Sequence, residues 1–371
     1  MQSFDVLVVG GGMAGVSIGY ELAADRRVAV LDMEPTLAFH TTGRSAAMFL
    51  ETYGGPAIRA LTVASRAELT ERGVLSPLPM LYVALAGRDG VAEGLYEQVR
   101  GLAPDARLLR PAEAADVQPL LRPEAVAGAV LDPGAMEIDV HALHQGYVHG
   151  LRARGGVIAT GARVVSAERD GGIWTVTGAD GRSWQAPVVV NAAGAWADEL
   201  STVFAARPIG LRPLRRCAFM VDAPAGARAP MIADIEDAFY VKPDAGKLLC
   251  SPADETPQPP GDARPDELEI ARAIEVINEV TTLGVRHVRS AWAGLRSFVA
   301  DRTPVVGPDP SVDGLFWFAA QGGYGIQTAP ALARTGAALL RDEPVPADAA
   351  ALGLTAADLD PGRNAVTSTR G

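Results

Sequence analysis

The sequence predicts an α/β fold in which a parallel-sheet unit and an antiparallel-sheet unit are threaded through one another. Three observations predict it. Apolar runs of strand length, each leading into a glycine turn, occur at the start, the middle and the end of the chain (residues 4–9, 188–191 and 315–320). The stretches between them carry alternating strands around hairpin turns. At 371 residues the chain exceeds one ordinary core, so two interleaved units suit it.

Residues 4–9 (FDVLVV) read as a strand buried on both faces. Glycines follow, then residues 14–24 with apolar positions at helical spacing, then residues 27–31 (RVAVL) as a second strand. About thirty residues is the length of a βαβ unit. Residues 163–168, 173–177 and 183–185 are short strands joined by Asp170-Gly171-Gly172 and Asp180-Gly181, an antiparallel meander. Residues 188–191 then run into Ala192-Ala193-Gly194. A second set of strands spans 212–251, with Pro243-Asp244-Ala245-Gly246 turning between 239–242 and 247–251. Residues 254–265 form a Pro-rich acidic loop and 266–283 a helix. The end reads as strand 315–320, glycine turn 321–325 and helix 328–340, with an irregular tail after Asp360. The expected boundaries are 1–75, 140–208 and 288–371 for the parallel-sheet unit, and 76–139 and 209–287 for the other.

Composition excludes several function classes. Lysine and arginine total 33 against 44 acidic residues, a net charge of −11, which argues against nucleic acid. Cys217 and Cys250 are too few for a disulfide framework or a metal cage, and no metal site is expected. The N-terminus has no basic segment ahead of an apolar one, and the longest apolar runs are far short of a transmembrane segment. A cytoplasmic location is the expectation.

Gly10-Gly11-Gly12-Met13-Ala14-Gly15 is a G-x-G-x-x-G between a strand and a helix, the context in which that pattern has meaning. Gly10 permits the tight turn, Gly12 lets backbone approach a pyrophosphate, and Gly15 lets helix and strand pack closely. The helix N-terminus at Met13 and Ala14 offers free N–H groups and partial positive charge. Asp32, followed by Met33, stands where an acid binds ribose hydroxyls, with Glu34 as the substitute. The parallel-sheet unit is therefore Rossmann-type. This fingerprint does not separate NAD from FAD.

Two further stretches separate them. Thr41-Thr42-Gly43-Arg44-Ser45-Ala46-Ala47 and Asn191-Ala192-Ala193-Gly194-Ala195-Trp196 resemble segments of the glycine/D-amino-acid oxidase group of flavoproteins, which includes D-amino-acid dehydrogenases and sarcosine oxidases. The resemblance covers essentially the whole chain. With FYVKPDAG, WAGLRSFVAD and AAQGGYGIQT it is nearest to the D-arginine dehydrogenase branch. It implies FAD, held by the G-x-G-x-x-G loop and by Thr42, Gly43, Arg44, Ser45 and Ala46 across pyrophosphate and flavin. Ala193 and Gly194 would lie at the adenosine end, and Gly322, Gly323, Tyr324, Gly325 and Ile326 at the pyrimidine end of the flavin. The matching attachment loop has no cysteine, so the FAD is expected to be non-covalent.

The same resemblance implies a substrate site and a reaction. Arg216 and Arg296 match the arginines that grip a substrate carboxylate, with Arg215 competing for the first role. Tyr53 and Tyr240 match tyrosines that help hold it, core tyrosines being the alternative. The Gly323 carbonyl would receive the substrate amine. The implied reaction is oxidative deamination of a D-amino acid, by hydride transfer to flavin N5, to an imino acid and then a 2-oxo acid and ammonia. The electron acceptor (a quinone, a dye-type acceptor or oxygen) stays undecided. The chain departs from the branch at Met48 and Met80, which stand in place of a histidine and of the glutamate that grips a guanidinium, and at Leu50 in place of a small polar residue. These imply an apolar substrate side chain, unless Glu51 supplies the missing acid. The alternatives are a secondary-amine oxidase of the sarcosine or glycine-oxidase kind and an electron-transfer subunit without a small substrate. His40, His141, His144, His149 and His287 have no evident partner and read as structural or solvent-facing.

Overall fold

The computed structural model describes residues 2–224, 227 and 230–363. A six-stranded sheet runs in the order Val157–Ala159, Val28–Leu31, Val6–Val9, Val188–Asn191, Leu315–Ala319, Val305–Pro308. All neighbours are parallel except the last pair. Val6–Val9, Val28–Leu31 and Leu315–Ala319 are buried at every position, which is why they read as continuous apolar runs rather than alternating ones. Helices Met13–Leu22, Val140–Ala153 and Ala329–Leu340 pack together on this sheet. Small residues let them approach: a Cβ at Gly19 would meet Val30 at 3.1 Å, and one at Gly336 would meet Phe318 at 2.7 Å.

The strand expected over 4–9 is shorter, Val6–Val9, and a separate two-residue strand precedes it. Gln2–Ser3 pairs with Ser183–Ala186 in a four-stranded sheet completed by Ile173–Gly178 and Val164–Asp170. The break falls at Asp5, whose carboxylate accepts the Arg27 N–H at 2.6 Å and turns the chain from one sheet to the other. The meander forms where its turns predict. Its first strand reaches Asp170 because the left-handed turn residues are Gly171 and Gly172 (φ 54° and 85°). The helix expected over 266–283 is Glu267–Val280, capped by the Asp266 carboxylate, which accepts the Leu268 N–H at 3.0 Å.

The second unit is built on a nine-stranded sheet. Its order is Thr256–Pro257, Arg212–Asp222, Lys247–Ser251, Tyr240–Asp244, Met231–Asp234, Met80–Leu85, Val126–Asp132, Arg107–Leu109, with Ser290–Phe298 also paired to Arg212–Asp222. Two features differ from expectation. The sheet is mixed, not purely antiparallel: Met80–Leu85 and Met231–Asp234 are parallel, because they come from distant chain segments that no hairpin joins. Ser290–Phe298, on the parallel-sheet side of the expected boundary at 288, is hydrogen-bonded along its whole length to Arg212–Asp222. A helix over the sheet, Glu267–Val280, closes a core that includes Phe219, Phe239, Cys217 and Cys250. Both cysteines are free and buried. Among the described residues no helix is long and apolar enough to cross a membrane, and no metal-binding cluster of His, Cys, Asp or Glu occurs. Asp360 to Arg363 follow a last short helix, Ala356–Leu359; the rest of the tail lies outside the described residues.

Candidate functional site

A cavity of about 430 Å³ opens between the two units. Its first wall is the carboxyl end of the parallel sheet: Gly10 to Ala14 after the first strand, Asp32 to Glu34 after the second, Ala192 to Trp196 after Val188–Asn191, and Ala320 to Gly323 after Leu315–Ala319. This is where sheet order reverses and ligands sit in open α/β sheets. Its second wall is the larger sheet, through Arg216, Ala218, Tyr240 and residues 294–297.

The glycine loop is shaped by packing and by charge. Gly10 has φ 117°, and a Cβ there would overlap the Ala192 carbonyl; one at Gly15 would overlap the Gly10 carbonyl. Gly12 faces open space except for Thr42 Oγ1, 3.1 Å from where its Cβ would be. Gly10, Gly12, Met13 and Ala14 line the cavity, while Gly15 supports the turn from behind. Asp32 accepts the Gly11 N–H at 2.5 Å and the Glu34 N–H at 2.7 Å, one at each oxygen. Burial pushes its pKa up from the ordinary carboxylate range, against these two bonds. Each oxygen keeps a lone pair for a hydroxyl. His144 is buried, and its Nε2 meets the Gly11 carbonyl at 3.0 Å. It holds the loop, in keeping with a structural reading.

Thr41–Arg44 is one turn of 3₁₀ helix stitched to the opposite wall. The Thr41 hydroxyl donates to Leu295 O at 2.7 Å, and Arg44 donates to Ala293 O at 2.9 Å, Ala263 O at 3.1 Å and Asp262 at 2.6 Å. The Thr42 hydroxyl accepts the Met13 N–H at 3.0 Å. Thr42, Arg44, Ser45, Ala46 and Met33 line the cavity; Gly43 packs instead under the Ala38 carbonyl. The Arg44 guanidinium is spent on protein partners, so it joins the two units.

At the far end, Gly322 has φ 56°, and a Cβ there would overlap the Phe298 ring. Gly323 lies against the Arg296 guanidinium, where a Cβ would stand 3.2 Å from it. Gly322, Gly323, Gly325 and Ile326 line the cavity with Ala193 and Gly194, whereas Tyr324 turns away to pack on Tyr53 and Phe298. Arg216 and Arg296 stand on one wall at this end, on the paired strands Arg212–Asp222 and Ser290–Phe298. Burial, and then the charge of Arg296, pulls the Arg216 pKa down. Burial also opposes the Arg296 charge, yet the Tyr53 and Tyr240 oxygens and Glu255 carry its pKa above the ordinary value. Arg215, the competing candidate, points elsewhere and pairs with Asp254 and Asp266.

Six buried side-chain polar atoms among the described residues have no protein partner. Four of them, Arg216 Nε, Ser297 Oγ, Gln321 Nε2 and His40 Nδ1, belong to residues that line this cavity. With the glycine loop and Asp32 at one end, the lining fits a dinucleotide.

His40, expected from the sequence to be structural or solvent-facing without a partner, instead lines the cavity and has one. Its Nε2 pairs with Glu34 at 2.9 Å and its ring lies 4.6 Å from that of Trp196. Its position beside Thr41 was the available signal. Ser297, Gln321, and Ala162 to Val165 beside Asp32 are further lining residues that the sequence reading missed. Conversely, Met48, Leu50 and Met80 are not part of the cavity wall. They pack in an apolar cluster with Ala218 and Tyr240, whose other sides are. Met80 is 2% exposed. Glu51 is held by Arg66 at 2.7 Å, away from the role of substitute acid.

The profile described as "FAD dependent oxidoreductase" (DAO) matches residues 5–339. Glycine oxidase from Geobacillus kaustophilus is 27% identical over 348 residues, covering 88% of this chain and 90% of its own. Human mitochondrial dimethylglycine dehydrogenase is 26% identical over 362 residues, and the chain spans only 40% of that protein. Among solved structures, the same glycine oxidase superposes with a TM-score of 0.82 at 24% identity, over 92% of this chain and 96% of its own. The FAD-bound L-alpha-glycerophosphate oxidase of Mycoplasma pneumoniae also gives 0.82, at 18% identity over 92% and 95%. The cavity with its glycine loop and Asp32, and the match over most of the length, agree: this chain belongs to the FAD dependent oxidoreductase family, and FAD is its cofactor.

Proposed function

We propose that the protein oxidises the C–N bond of a small amino acid that carries a free carboxylate. The observation that carries this reading is the end of the cavity at Arg216 and Arg296, two arginines that line it from adjacent strands of one wall. Two cations in one buried wall are unfavourable alone and favourable around an anion. Tyr240 lines the cavity beside them and completes a carboxylate clamp, whereas Tyr53 packs on Tyr324 outside the lining. The Gly323 carbonyl is the acceptor for the substrate amine. Bound FAD supplies the two-electron acceptor. The chain's residues bind and align the substrate. Loss of two electrons and two protons gives the imino acid, and water then releases the 2-oxo acid and ammonia.

On side chain, the reading is a D-amino acid with an apolar group. Met48, Leu50, Met80 and Met231 pack behind Tyr240 and Ala218, and Glu51 is engaged with Arg66, so no free acid meets a guanidinium there. That separates the chain from the D-arginine dehydrogenase pattern it otherwise resembles. A second reading is oxidation of glycine or an N-methyl amino acid. Two observations favour it: relatives are named glycine oxidase and dimethylglycine dehydrogenase, and the apolar cluster lies behind the cavity wall, which leaves a small site.

Anaerobic bleaching of the purified holoenzyme tests both. A panel of D- and L-amino acids, glycine, sarcosine and dimethylglycine is mixed with the protein, and flavin absorbance is followed. The first reading expects D-leucine and D-methionine to bleach faster than D-arginine. Faster bleaching by sarcosine or glycine would establish the second, and bleaching by no amine would leave the electron-transfer reading.

A further inference from the structure

Outside the cavity wall, Arg216 meets a group that the clamp does not use. Its Nη2 donates to Glu255 Oε1 at 3.2 Å. The same carboxylate accepts two shorter bonds from Arg302, 2.7 Å at Oε1 and 2.9 Å at Oε2. The forked pair is the stronger one, because both oxygens are held by one planar donor. Arg302 is held in turn. Its guanidinium lies 3.8 Å above the Phe298 ring, and its side chain bonds to that of Tyr324. The Glu255 and Arg302 side chains are 32% and 42% exposed, against 9% for Arg216.

Arg216 is buried beside a like charge, so an anion near it lowers the cost of keeping it ionised before substrate arrives. Glu255 supplies that anion through a single long contact. It can also surrender that contact without becoming an unpaired charge, since Arg302 keeps both oxygens. We propose that Glu255 is a displaceable counter-ion of Arg216, parked on Arg302, which a substrate carboxylate displaces when it enters the clamp. The proposal rests on the clamp reading above. Glu255 and the substrate carboxylate then compete for one guanidinium, so Glu255 sets carboxylate affinity and Arg302 sets how strongly Glu255 competes. Both are positioning residues, and neither touches the reacting carbon.

The competition has a definite sign, and benzoate titration of the holoenzyme followed by flavin absorbance reads it. Glu255→Gln removes the competitor, so benzoate should bind about five- to tenfold more tightly at low ionic strength, with the gain shrinking as salt is added. Arg302→Met frees Glu255 to settle on Arg216, so benzoate should bind more weakly by a similar factor. The double variant should return to the tight binding of Glu255→Gln, a rescue that mere structural damage would not produce. Neutral benzamide should be indifferent to all three changes. FAD content, measured by the flavin-to-protein absorbance ratio, reports whether each variant is intact. Benzoate binding in Glu255→Gln that is unchanged or weaker than in the parent overturns the counter-ion. So does an Arg302→Met variant with parental affinity. If the parent itself ignores benzoate, the clamp reading fails first and the counter-ion falls with it.

Discussion

Arg296 and Met80 show how much a single position carries when its surroundings are known. Arg296 sits against Gly323, under the influence of Tyr53 and Tyr240, at the end of a cavity that Arg216 also lines. Arg296→Met keeps the volume and removes the fork. It is expected to lower kcat/KM for an amino-acid substrate by about 100-fold or more, mostly through KM, because a buried charge-assisted pair is lost. FAD content should be unchanged, and steady-state kinetics with a flavin absorbance ratio check both halves. Met80 is the opposite case. Its match to the glutamate position of the D-arginine dehydrogenase pattern implies a pocket residue, yet it is buried among Leu78, Met231 and Leu249. Met80→Glu would bury a carboxylate without a partner, at a cost of several kcal/mol. The expected result is a drop in Tm of about ten degrees or more with no gain in D-arginine turnover; thermal denaturation and an activity panel decide it.

At the scale of elements, the glycine loop owes its shape to neighbours the local sequence does not contain. The G-x-G-x-x-G pattern predicts the turn, but the Gly11 carbonyl is positioned by His144 from helix Val140–Ala153, far along the chain. Burial holds the His144 pKa below its ordinary 6.5. A histidine with a depressed pKa is neutral in the fold and gains its proton more readily when unfolded. Its contribution to stability is therefore present above pH ~6.5 and lost as pH falls. His144→Gln should cost stability at pH 8 and progressively less toward pH 5, as the parent loses the same contribution. Melting curves of both proteins across that range show whether the gap narrows; a gap that widens in acid would refute the assignment. The Thr41–Arg44 turn works the same way. Its sequence announces a flavoprotein segment, while its bonds to Leu295, Ala293 and Ala263 decide that it braces the two walls.

For the whole molecule, the site exists only because two sheets close on one another. The parallel sheet supplies a nucleotide-binding edge and the larger sheet supplies both arginines, so neither carries a complete cavity. The strand Ser290–Phe298 makes the junction: its backbone pairs with Arg212–Asp222, while Arg296 and Ser297 face the glycine turn that ends the parallel sheet. A flavin enclosed this way, with no cysteine in the matching attachment loop, is expected to be released intact when the protein unfolds. Heat or acid should leave FAD in the supernatant, identified by chromatography against FAD and FMN standards. Colour remaining in the pellet, or FMN in solution, would contradict this.

The sequence by itself determined the parallel strands, the nucleotide loop with Asp32, the meander and the capped helix at Asp266. Each of these follows from near neighbours: unbroken apolar runs for strands covered on both faces, glycines where a Cβ would collide, and a carboxylate at a helix N-terminus. Arg216 and Arg296, singled out through their resemblance to a family pattern, both line the cavity. Tertiary structure alone decided which of two adjacent arginines enters the cavity, because strand register turns Arg216 inward and leaves Arg215 to Asp254 and Asp266. It alone withdrew Met80 behind the wall, engaged Glu51 with Arg66, brought His40 and Gln321 to the lining and set Glu255 between Arg216 and Arg302. The physical reason is common to all of them. Propensity and spacing act over a few residues, whereas exposure, charge pairing and the direction of a side chain are set by partners tens to hundreds of positions away.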